Sequence, residues 1–184
     1  MFEFSLYVLD ITMNSVRAGA TNITISLKEN SEFLDFSVTD NGCGMTPEQV
    51  EKLGNPFFTT RKTRNVGLGI PFLKMLAEST GGYISITSVH ESVSEKHGTT
   101  TSARFGRNHL DFVPLGDMPD TLKTLIHGSP DIDFLYTHET EVGTVSLSTA
   151  EIRQILGEDI SLAEPEILMW IESNLREQYE SIKK

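Results

Sequence analysis

Four short segments of this chain carry residue types that can do chemistry together. In the first, Asp10-Ile11-Thr12-Met13-Asn14-Ser15-Val16-Arg17-Ala18-Gly19-Ala20, the residues Asp10, Asn14 and Arg17 recur at helical spacing and project from one side of a helix. The side-chain carbonyl of Asn14 is a hard oxygen of the kind magnesium takes, with water and phosphate in the rest of its shell. Asp10, one turn earlier, could orient a water or accept a proton. In the second, Asp40-Asn41-Gly42-Cys43-Gly44-Met45, Asp40 stands where the alternation of the preceding strand asks for a buried apolar residue. A buried carboxylate needs a donor or a charge partner, and the exocyclic amine of adenine is a donor. Gly42 and Gly44 have no Cβ to keep backbone from a flat base. In the third, Gly67-Leu68-Gly69-Ile70, a helix start offers free N–H groups and the positive end of its dipole to phosphate. Thr60, Arg61 and Lys62 precede it, within reach of the same phosphates. The fourth, Gly98-Thr99-Thr100, opens a late polar strand. Jointly these are parts for holding Mg-ATP. Singly each has a plainer reading: Asp-Asn-Gly makes turns, mid-helix Asp and Asn can be merely solvated, glycines precede many helices, and a basic run is usually a solvated face.

The elements that must position these residues follow from periodicity. Leu6, Leu9, Met13 and Val16 give an apolar stripe to a first helix over residues 5–18. Ile23, Ile25 and Leu27, then Leu34, Phe36 and Val38, alternate as two strands. Thr46 as N-cap, Pro47 at the first position and Gln49 as the reciprocal partner predict a short helix that Gly54 stops. Residues 55–66 lack periodicity and read as a mobile basic loop. A helix from Ile70-Pro71 to Gly81-Gly82 and strands over residues 83–88 and 99–105 complete a unit of residues 1–106. Residues 107–184 form a second unit, a C-terminal α/β extension: a helix over 119–127, a hairpin of strands over 132–137 and 142–147, a helix capped by Ser148 with Glu151 and ended by Gly157, and a last helix over 165–181. The order predicts an α+β layered sandwich: a mixed, largely antiparallel sheet covered by helices on one face.

Bulk properties narrow the function. With 15 basic against 26 acidic residues the net charge is −11, which repels nucleic acid phosphate. The single cysteine, Cys43, excludes an internal disulfide framework, fits a reducing cytoplasm and is expected to pack near the base. No apolar run approaches the roughly 18 residues that span a bilayer, so a cytoplasmic protein is expected. Neither Gly-x4-Gly-Lys-Ser/Thr nor Gly-x-Gly-x-x-Gly occurs. His90, His97, His109, His127 and His138 show no compact metal-ligand spacing, and structural or surface roles are expected of them.

The four segments in this order resemble the Bergerat-fold ATPases of the GHKL superfamily, which groups gyrase B subunits, heat-shock chaperones, histidine kinases and MutL proteins. Asn14-Ser15-Val16-Arg17-Ala18-Gly19-Ala20-Thr21 is similar to the N box in its MutL form. Asp40 to Met45 resembles the G1 box, Phe57 to Thr63 with Gly67 to Ile70 the ATP lid and G2 box, and Gly98-Thr99-Thr100 the final motif. The resemblance implies a nucleotide between sheet and helices, with Asp40 on the adenine amine, Thr99 reaching the adenine, Asn14 on Mg2+, and Gly67, Leu68, Gly69 and Ile70 along the phosphates. Arg17, Gly42, Gly44, Met45, Thr60 and Lys62 complete the expected cofactor-binding set. The chain departs from the family at two places. The gyrase and MutL branch has a glutamate where Asp10 stands, and the MutL form an aspartate where Arg17 stands. Before Asp10 only nine residues occur, so the helical hairpin with the phosphorylatable histidine of histidine kinases is not expected, nor is a gyrase- or MutL-type transducer domain.

Two activities fit this set. One is a stand-alone regulatory ATPase or protein (Ser/His) kinase that transfers the γ-phosphate to water or to a partner protein, with Asp10 orienting the acceptor. The other is a non-catalytic ATP-gated module whose lid orders over nucleotide and alters what a partner meets. The lid or the extension, including the last helix with Trp170, is the expected partner surface, and a homodimer is a further reading.

Overall fold

A computed structural model describes residues 3–53, 68–157 and 160–183. The chain opens with α1 (Phe4–Arg17). Its core face differs from the expected stripe. Phe4, Tyr7, Val8, Ile11 and Ser15 are buried, Leu6 is 41% exposed, and Leu9, Met13 and Val16 lie at the margin. Two apolar stripes compete on this helix, and the aromatic one wins because its rings find partners across the core. The Phe4 ring meets Phe36 edge-on at 5.4 Å and Phe105 at 5.1 Å.

The antiparallel hairpin of β1 (Asn22–Glu29) and β2 (Phe33–Asp40) turns at Asn30, whose side-chain oxygen accepts from the Glu32 and Phe33 amides at 2.8 Å. Next comes α2 (Pro47–Lys52), opened by the reciprocal cap of Thr46 and Gln49 that its sequence predicts. Then follow α3 (Gly69–Ser79), β3 (Tyr83–Val89) and β4 (Gly98–Gly106). Asp117 caps α4 (Met118–Gly128) by accepting from the Asp120 amide at 2.9 Å. The rest is β5 (Asp133–Glu139), β6 (Thr144–Ser148), α5 (Thr149–Leu156), begun by Ser148 and stopped at Gly157, and α6 (Pro165–Ile182).

All six strands form one sheet in the order β3-β4-β2-β1-β5-β6. The β1–β5 pair is parallel and the other four are antiparallel. The strands of residues 107–184 therefore extend the sheet that carries Asp40. One face is the core: Ile23, Ile25, Leu27, Phe36, Phe105 and Tyr136 are buried beneath the helices. Across the middle of the opposite face runs a row of hydroxyls, with Ser85, Ser102, Ser37, Ser26, Thr137 and Ser146 directly opposed across the six strands. Such a face needs no second layer. Beside this row Arg104 grips Asp35 through two bonds of 2.6 and 2.7 Å.

A polar string ties α6 to β5 and β1. The Tyr136 and Tyr179 hydroxyls are 2.5 Å apart, and Tyr179 lies 3.0 Å from His138 Nδ1. The order Tyr136 to Tyr179 to His138 Nδ1 gives each hydroxyl an acceptor and leaves the ring proton on Nε2. That nitrogen is buried and faces Glu29 Oε2 at 3.7 Å, while Arg107 approaches the same oxygen to 3.4 Å. His138 first, and then Arg107, hold the Glu29 carboxyl below the usual carboxylate range against the opposing effect of burial. Burial pushes both tyrosine hydroxyls up. On β6, the Gln178 side chain accepts from the Ser146 amide at 2.9 Å and donates to the Ser146 carbonyl at 3.0 Å. Among the described residues no helix is long and apolar enough to cross a membrane.

Candidate nucleotide-binding site

Asp40 is the last residue of β2, paired with Ile23 on one side and Thr99 on the other. It is 9% exposed and satisfied by three donors. Ser15 Oγ donates to Oδ2 at 2.6 Å, and the Gly42 and Thr99 amides donate to Oδ1 at 2.9 and 3.3 Å. A carboxylate offers about four lone-pair sites, so Oδ2 retains capacity for one donor more. The placement needs no charge partner from the protein; its amides and a hydroxyl stabilise the anion.

The loop after Asp40 is fixed by its surroundings. The Cys43 amide donates to the Ala18 carbonyl at 2.9 Å, and the Glu91 amide to the Cys43 carbonyl at 2.8 Å. The Met45 amide donates to Ser88 Oγ at 2.8 Å. Ser88 in turn donates to the Gly98 carbonyl at 3.0 Å and contacts the Thr99 hydroxyl at 2.8 Å. The Thr99 side chain is thus held by Ser88, while its amide serves Asp40. At both glycines the room a Cβ would need is taken by this chain. At Gly42 a Cβ would fall 2.8 Å from the Ala18 Cβ; at Gly44, with φ +67°, it would fall 1.9 Å from the Val89 carbonyl oxygen. Gly44→Ala is therefore expected to cost about 2–4 kcal/mol and lower Tm by roughly 5–15 °C. Gly19→Ala is the control: its φ is +74° but the space is open, so a thermal melt should show only about 1 kcal/mol of loss there.

The other half of the site lies where α1 meets the start of α3. Asn14 is half-buried, and its Oδ1 accepts from Arg17 Nη1 at 3.0 Å. Asp10 is half-buried too, and its Oδ2 stands 2.2 Å from the point where a Gly69 Cβ would be. A side chain at Gly69 would push the Asp10 carboxylate aside, and that carboxylate rests at the positive end of α3. Leu68 is the N-cap residue of α3, and Ile70 packs against the core. Thr60, Lys62 and Gly67 lie outside the described residues, as do the other residues of 54–67.

The structure thus gathers Asp40, Gly42, Gly44, Met45 and Thr99 on one side and Asp10, Asn14, Arg17, Leu68, Gly69 and Ile70 on the other. Consecutive residues of α1 join them, since Ser15 holds Asp40 while Asn14 presents its amide. Three further residues, Ser15, Ser88 and His97, the last with its Nδ1 on the Gly42 carbonyl, also hold this arrangement and were not singled out in the sequence. A hydroxyl on the core side of α1 was the signal for Ser15. Nothing local marks the other two.

This arrangement, a mixed sheet covered on one face by helices with a buried strand-end aspartate held by α1, is what a GHKL-type ATP-binding domain calls for, and the family comparison agrees. The sequence model described as "Histidine kinase-, DNA gyrase B-, and HSP90-like ATPase" matches residues 4–109, and the chain belongs to this family. It is 36% identical over 100 residues to Sporulation kinase B of Bacillus subtilis (strain 168), covering 53% of this chain and 22% of that protein. It is 33% identical over 85 residues to Sensor histidine kinase ZraS of Salmonella typhimurium, covering 45% of this chain and 18% of that protein. The chain spans less than a quarter of either relative. A solved structure described as "Crystal Structure of N terminal domain of a DNA repair protein" shares the fold with a TM-score of 0.56 at 17% identity, over 86% of this chain and 58% of that one.

Proposed function

We propose that this chain binds Mg-ATP between Asp40 and the start of α3 and passes the γ-phosphate to water or to a partner protein. The observation that carries the reading is the Asp40 carboxylate: buried, fixed by three donors and able to accept one more. An adenine amine is a donor of the right kind, and Ser15 couples it to the helix that bears Asn14. Asn14 Oδ1 is a hard oxygen on α1, which suits a cation that prefers oxygen and keeps phosphate and water. Magnesium, when bound, would offset charge on the phosphates. The α3 amides would steady the triphosphate, and Arg17 would turn from Asn14 toward it. Asp10 would orient the attacking water or hydroxyl and accept its proton. Relatives named as kinases support transfer to a protein, and the extension or the α6 surface around Trp170 would present that partner.

A second reading rests on Arg17. Because its guanidinium already holds the Asn14 oxygen, nucleotide could act by displacing it, with partner binding rather than turnover as the output. Calorimetric titration with ATP, with and without magnesium, followed by a phosphate-release assay, tests both. Magnesium-dependent binding with phosphate release or transfer is the expected result. Binding without either leaves the switching reading, and no binding overturns both.

A further inference from the structure

We infer that His97 is a positioning residue for the nucleotide base, an assignment that rests on the ATP-site reading above. His97 stands in the loop between β3 and β4, directly before Gly98. Its Nδ1 lies 2.5 Å from the Gly42 carbonyl oxygen, 55 residues away in sequence. A carbonyl only accepts, so Nδ1 carries a proton and donates, in the neutral ring or the charged one alike. The neighbouring amide groups show what this bond does. The peptide unit between Gly42 and Cys43 has its carbonyl on His97 and its N–H on the Ala18 carbonyl at 2.9 Å, so the plane is pinned at both ends. The Gly42 N–H is the donor that fixes Asp40 Oδ1 at 2.9 Å. Glycine has more backbone freedom than any other residue, and at Gly42 these bonds remove it. His97 reaches this position because Gly98, at φ +136°, lets the strand approach: a Cβ there would fall 1.9 Å from the Asp40 carbonyl oxygen.

His97 therefore acts through Gly42 on the orientation of the Asp40 carboxylate, without touching the base. Releasing the Gly42 carbonyl leaves the Gly42–Cys43 peptide tied only through its N–H, so the Gly42 φ and ψ loosen and the adjoining Gly42 N–H holds Asp40 less firmly. Kd for ATP, measured by calorimetry, is expected to rise about five- to tenfold in His97→Ala, the effect of one lost hydrogen bond. His97→Asn carries an N–H close to where Nδ1–H stands and is expected to bind within about twofold of wild type. His97→Gln keeps polarity and size but places its amide nearer the Nε2 position, and should bind as weakly as the alanine variant. The Asn and Gln pair separates positioning from a general loss of fold, because both keep a polar side chain in the loop. A His97→Ala protein that binds ATP as tightly as wild type, while Asp40→Asn does not, overturns the inference. So does a His97→Asn protein as weak as His97→Ala. Wild-type protein that fails to bind ATP overturns the underlying reading instead.

Discussion

Asp10→Ala is expected to lower phosphate release or transfer by at least about 100-fold, the usual scale for removing a general base, while Kd for ATP stays within about twofold. The split follows from where Asp10 stands. Its carboxylate rests against Gly69 at the head of α3, where the proposed reading puts the phosphates, and away from the residues that hold Asp40. Truncation removes an acceptor for the proton of the attacking group and leaves the Ser15–Asp40 contact intact. Single-turnover measurement with saturating Mg-ATP reads the chemical step directly. Unchanged turnover would remove Asp10 from the mechanism and leave the base to another group.

Asp40→Asn is expected to weaken ATP binding by roughly 10- to 100-fold, as when a hydrogen bond to a charged acceptor is lost. The substitution is nearly isosteric, and the site can absorb it. The amide oxygen still accepts from the Gly42 and Thr99 amides, and the new N–H2 faces Ser15 Oγ, which can accept in turn. Tm should therefore move by no more than a few degrees. Toward the base, however, a donor now replaces the acceptor, and a donor cannot pair with an exocyclic amine. A Kd within about twofold of wild type would sink the adenine assignment.

The buried strand-end position of Asp40 was legible in the sequence because it breaks a local rule. A charged residue at the apolar phase of a strand, followed by glycines, needs no tertiary knowledge to stand out. The same is true of the Thr46–Gln49 cap and the stop at Gly157, whose geometry spans only a few residues. The face that α1 buries was not legible, since Leu6-Leu9-Met13-Val16 and Phe4-Val8-Ile11-Ser15 are both helical stripes, and only the rings of Phe36 and Phe105 decide between them. The seat of β5 beside β1 was hidden for a related reason. Alternation says that a strand has a buried face but not which neighbour takes its hydrogen bonds. His97 and Ser88 are ordinary loop and strand residues until folding brings Gly42 and Met45 to them.

The Gln178–Ser146 contact also decides how the sheet ends. A carboxamide has the donor and acceptor pair of a peptide group, and here it answers both outward-facing backbone groups of the middle residue of β6. An outermost strand left bare would be a template for a strand from another molecule. On this side an intruding strand must first expel Gln178, which α6 supplies from within the same chain. The last helix thus terminates the hydrogen-bond ladder as a one-residue false strand, and guards a protein with an uncharged outer strand against end-to-end stacking.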